Sequence, residues 1–174
     1  MSDYDRSTTA TTLERLPEPL RAALLERAEA ALLTLPLGSP AFLSHNKRLK
    51  SGGFLRRVAD KDAEHFVALV IGPADVLIGI HGEHRGTSVL HARLEDVELS
   101  DLAQRLAVGN PKLAQAASMV GEGIEVMGFA TTVDGQTSHG GSFFFGTGDP
   151  DGLSARTALE AAIRAAKAPP GAEA

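Results

Sequence analysis

The chain has no cysteine. That absence removes disulfides, zinc–thiolate sites, iron–sulfur clusters and thiol nucleophiles from consideration. Tryptophan is missing as well, and aromatic residues make up only 5% of the 174, so the core has to be built from aliphatic side chains. No apolar run reaches the roughly 20 residues of a membrane span, and residues 1–12 lack the basic-then-apolar pattern of a secretory signal. The expected location is cytoplasmic, with no transmembrane segment. Positive charge is also short, since 17 Lys and Arg against 22 Asp and Glu leave a net −5. A nucleic-acid partner is therefore not expected, because such domains need cations to displace the counterions of phosphates.

Hydrophobic residues at 43% and charged residues at 22% are the proportions of an ordinary globular domain. The length suits one domain. Polar or Pro/Ala/Gly-rich ends at 1–12 and 168–174 read as flexible tails around a single domain at 13–167. Within it, Leu20, Leu24, Ala28, Ala31 and Leu32 recur at helical spacing, with Pro19 in the first turn and Pro36 and Pro40 beyond the end. Residues 65–71, 75–81 and 87–94 are aliphatic runs separated by Gly72-Pro73-Ala74 and by Gly82 to Gly86, the pattern of an antiparallel meander. A further short strand is expected at 54–58.

Ser100-Asp101 and Asn110-Pro111 supply the caps of a helical pair over 100–121. A second hairpin then turns at Asp134-Gly135, and an Ala-rich helix over 153–167 closes the chain. The expected class is α+β: a curved antiparallel sheet of about six strands with an N-terminal helix, an inserted helical pair and a C-terminal capping helix. Strands that follow one another through short turns disfavour a parallel alternating fold.

Ala68-Leu69-Val70-Ile71 paired with Val76-Leu77-Ile78-Gly79-Ile80, then Gly86 to Leu90 leading into Leu94 to Leu99, then Ser142-Phe143-Phe144-Phe145 and the last helix, form an order of elements. Over about residues 65–167 that order resembles the bacterial pleckstrin-homology-like domains. The resemblance implies a curved antiparallel sheet capped by the C-terminal helix, no catalysis, and a role in holding proteins or anionic head groups. The N-terminal helix and the helical pair are additions to the family pattern, and the last helix lacks the tryptophan of eukaryotic members. The same order is also similar to that of small dimeric secretion chaperones, which implies a homodimer.

Several clusters bear on chemistry. Lys47, Arg48, Lys50, Arg56 and Arg57 fall within residues 44–59 with no acid among them, so the rest of the chain carries −5 − 5 = −10. Placed around Gly52-Gly53, these cations form a loop suited to an anionic ligand or an acidic protein. A tight turn around Pro73-Ala74 places His65 across from His81 or Gly82, and His65, His81 and a third ligand from the next turn, His84 or Glu83, form a candidate metal set, an alternative that would also serve an enzymatic domain.

Gly146-Thr147-Gly148-Asp149-Pro150-Asp151-Gly152 suggests a phosphate-binding turn, yet its two acids would repel a pyrophosphate and are better used as helix caps. Leu153 and Ala155 stand where a calcium loop needs oxygen ligands. His139-Gly140-Gly141-Ser142 enters a strand and lacks the elbow of a serine nucleophile. No cofactor is expected, and the expectation is a non-enzymatic binding module. Of Phe143, Phe144 and Phe145, alternation sends at least one away from the core unless both faces are covered.

Overall fold

The computed structural model describes residues 4–48, 62–101, 122–133 and 136–168. Among these, eight strands and two α-helices form two antiparallel sheets, an α+β architecture. Strands β1 (Tyr4–Thr12), β2 (Pro40–Arg48), β3 (Glu64–Ile71), β4 (Asp75–Gly82) and β5 (Gly86–Arg93) form the larger sheet in that order. Strands β6 (Glu98–Asp101), β7 (Gly123–Val133) and β8 (Gln136–Gly146) form the smaller one. Helix α1 (Glu18–Ala30) lies between β1 and β2, and α2 (Pro150–Lys167) ends the described chain.

Three expectations change. Residues 4–12 are an edge strand and not a flexible tail: β1 pairs with β2 in unbroken register from Tyr4↔Arg48 to Thr12↔Pro40. Its threonines suit extended backbone, and the buried Thr8 hydroxyl meets the Ser44 hydroxyl at 2.8 Å. The strands also divide into sheets of five and three instead of one sheet of about six. Ser100 and Asp101, expected at the start of the helical pair, are the last residues of β6, opposite Glu125 and Ile124. The rest of the expected helical pair, the strand at 54–58 and residues 169–174 lie outside the described residues.

The larger sheet is covered on both faces. On one, Leu20, Leu24 and Ala28, spaced four apart along α1, are buried, and Leu20 and Leu24 pack with Leu13, Ala41, Ala68, Val70 and Leu77. Gly79 makes the close approach feasible, since a Cβ there would stand 3.0 Å from Leu20 Cδ2. The helix ends with Leu33 N–H donating to Ala28 O and Leu32 N–H to Glu29 O, with Leu32 at φ +56°. This is the two-bond C-terminal motif that usually takes glycine at the left-handed position.

The opposite face carries Phe42, Val67, Leu69, Ile71, Val76 and Ile78 and packs against the smaller sheet through Ile124, Val126, Phe129 and Phe145. Ala155 and Leu159 of α2 complete this cluster. The smaller sheet is bent by irregular pairing around Met127 and Phe129. Gly128 sits there at φ +109°, and a Cβ on it would come 2.5 Å from Asp96 O. A left-handed residue at such a break in the ladder favours glycine.

Helix α2 opens on Asp149, whose Oδ1 accepts from Gly152 N–H at 2.7 Å, followed by Pro150 at the first position. The acids of the glycine-rich turn are thus helix caps, and they also reach β1. Asp149 Oδ2 accepts from Thr8 N–H at 2.8 Å, and Asp151 Oδ2 from Ala10 N–H at 2.9 Å.

Candidate functional site at the charged end of the larger sheet

Antiparallel order brings the end of β2, the start of β3, the end of β4 and the start of β5 to one end of the sheet. Lys47 and Arg48 close β2 there, and the connection to β3 returns at Asp62. Lys50, Arg56 and Arg57 belong to that connection and lie outside the described residues. Lys47 is exposed and its Nζ is 3.1 Å from Glu64 Oε1, while His45 Nε2 is 3.2 Å from Glu64 Oε2. The Lys47 hydrogen bond, followed by that of His45, holds the Glu64 carboxyl below the usual range. His45 is also stacked on Phe66, with centroids 4.7 Å apart and planes at 14°.

Asp62 is the anchor of this end. It is only 2% exposed, and its carboxylate accepts from His84 N–H at 2.7 Å and from Arg85 Nε at 2.7 Å. The His84 N–H is the main reason that the Asp62 carboxyl stays below its ordinary value, and Arg85 adds to it. Gly82 leaves room for the carboxylate, since a Cβ there would meet Asp62 Oδ2 at 2.3 Å. The return of the basic connection is therefore fixed to the β4–β5 turn, which presents the exposed Glu83, His84 and Arg85.

The structure gathers His65, His81 and His84 at this same end, but on different surfaces. His65 stands opposite Gly82, and His81 opposite Phe66. Because successive side chains alternate faces, His65 projects to the side of the inter-sheet core and His81 to the side that α1 covers farther along. His81 Nδ1 is 2.7 Å from Thr87 Oγ1, and His84 enters through its backbone N–H. Among the described residues no three His, Asp or Glu side chains assemble as a metal-ligand set.

Sequence reasoning missed a polar row on the inter-sheet side. Arg6, Asn46 and His65 are neighbours across β1, β2 and β3. Arg6 Nε donates to Asn46 Oδ1 at 2.7 Å, and its guanidinium lies 5.4 Å from the centroid of Phe144. A cleft of about 50 Å³ opens between this row and Phe143–Phe145. Phe145 is buried and Phe144 is covered by Arg6, so the second face of β8 is met by a cation on β1. The signal was the alternation of Arg6, Thr8 and Ala10 with Ser7, Thr9 and Thr11, which reads as a strand once its polar face is given a partner.

A second, wider groove of about 420 Å³ runs between β6 and the end of α2, lined by Val97, Leu99, Glu160, Ile163 and Lys167. Lys167 Nζ closes part of it by donating to Val97 O at 2.8 Å. Ser142 Oγ donates to Glu125 Oε1 at 2.9 Å. Among the described residues no helix is long and apolar enough to cross a membrane. No family model, curated protein or solved structure matches the chain.

Proposed function

We propose that the chain is a non-catalytic binding module, pleckstrin-like in design, that offers the basic connection between β2 and β3 to an anionic ligand or an acidic protein surface. The carrying observation is the anchoring of that connection. It leaves from Lys47 and Arg48 at the end of a paired strand and returns at a buried aspartate tied to the next turn. Both ends of a segment holding Lys50, Arg56 and Arg57 are thus held at the same rim of the sheet. Clustered cations on a fixed rim favour polyvalent anions over single charges, because each further contact is made without a new loss of translational freedom.

The pleckstrin-like design is supported by the succession of a four-strand meander β2–β5, a three-strand set β6–β8 and a final helix packed against their shared core. The test is a thermal-shift series with inositol hexakisphosphate and with a polyglutamate peptide. Either probe at a hundred times its dissociation constant should stabilise the fold by about 2.7 kcal/mol. The double variant Arg56→Glu, Arg57→Glu should melt as the native chain does without probe and lose the shift. A full shift retained by that variant would overturn the reading.

A further inference from the structure

The two edges of the larger sheet are finished differently. At β1 the outward N–H groups of Thr8 and Ala10 are taken up by Asp149 and Asp151 at the start of α2. At β5 there is no such cover among the described residues. Leu94 N–H donates to Ala74 O, which fixes the phase of the ladder. In antiparallel pairing the main-chain groups then alternate. Those of Ser88, Leu90 and Ala92 point to β4, and those of Thr87, Val89, His91 and Arg93 point outward.

β5 is the last strand of its sheet, and no main-chain hydrogen bond joins this outward row to another described residue. Among the described residues few of the usual protections of an edge are present, the exposed Arg93 apart. The strand has no proline and no lysine, its register with β4 runs one-to-one without a bulge, and the His91 imidazole is engaged by Asp75 at 3.1 Å. An edge of eight residues without these devices is a template for another strand.

We propose that β5 is an association edge at which two copies of this chain join their five-stranded sheets antiparallel about a two-fold axis through Leu90. The sequence of the strand is self-complementary in that register. Thr87 faces Arg93 of the second copy, Val89 faces His91, and Ser88 faces Ala92. Outward residues meet outward residues, so each exchanges both its N–H and its C=O. Side chains on one face of the sheet meet the same face of the other copy. Arg93, the strand's one permanently charged side chain, faces a threonine, so no like charges are opposed. Such a contact uses the same surface twice and closes as a dimer. The carboxylates on β1 keep the remaining edge from extending the sheet further.

The test uses the full chain, with sedimentation velocity over a concentration series and amide hydrogen exchange read at each end of it. A dimer is expected, with the Thr87, Val89 and His91 amides slowing as concentration rises. Thr87→Arg opposes two arginines across the axis at both ends of the contact. It should return the chain to monomer at concentrations where the native chain is dimeric, with a cooperative circular dichroism melt at low concentration lowered by no more than the loss of the Thr87–His81 hydrogen bond. A native chain that stays monomeric with fast outward amides overturns the proposal. So does a folded Thr87→Arg variant that dimerises as the native chain does.

Discussion

The two ends of the larger sheet do different work. At one, Ile71, Val76 and Ala92 lie side by side across three strands and are buried with Leu94 and Val97. At the other, the strands and their connections carry Lys47 paired with Glu64 and Arg85 paired with Asp62. The first end removes apolar area from water, at about 25 cal/mol per Å². The second spends its interactions on fixing where the chain turns, and its exposed pair, Lys47 with Glu64, adds about 0–1 kcal/mol to stability. If the charged end holds the ligand, as proposed, stability and recognition are separated along the strand direction, and substitutions at that end should alter binding while the fold persists.

That separation can be broken from its apolar side. Leu69, fully buried in the inter-sheet core, should cost about 2–5 kcal/mol when cut to alanine, as read by urea denaturation, while anion binding at saturating folded protein is unchanged. A smaller effect is expected at the bend of the smaller sheet. Gly128→Ala strains a left-handed backbone and drives a methyl group onto Asp96 O, a loss of about 1–3 kcal/mol by the same assay.

The charged end sharpens the comparison through pH. The folded Asp62 carboxyl lies below its ordinary value. The stability it contributes is therefore present above the unfolded pKa and is lost as pH falls through the folded one. Asp62→Asn should lower the melting temperature at pH 7, and the gap to the native chain should close as pH drops below the ordinary aspartate range. A gap of constant size down to pH 2 would assign the loss to packing and not to charge.

Much of the core was legible because its signals are local. Val67, Leu69 and Ile71 alternate, as do Val76, Ile78 and Ile80, and glycine or proline punctuates each turn, so β3 to β5 stand where they were expected. The two helices follow their apolar stripes and caps, and the second hairpin pairs β7 with β8 up to Val133 opposite Gln136. β1 and β2 were hidden because part of what holds them is polar. The Thr8–Ser44 hydroxyl pair and the Arg6–Asn46 bond hold the inner side of this pair of strands, and two aspartates at 141 residues' distance hold its edge.

The histidines show how little separates one reading of a site from another. His65 could face His81 or Gly82 across the turn, and a shift of one residue exchanges the faces of a strand. The register found, His65 opposite Gly82, sends the two imidazoles to opposite sides. The tight turn at 72–74, closed by Gly72 N–H donating to Asp75 O, sets that register.

The most direct test of the account is isothermal titration of the full chain with inositol hexakisphosphate, beside the Arg56→Glu, Arg57→Glu variant and Leu69→Ala under conditions where each is folded. The account predicts saturable binding to the native chain and to Leu69→Ala with similar affinity, and its loss in the charge-reversed variant. Equal binding by the charge-reversed variant, or none by the native chain to this probe or to polyglutamate, would contradict it.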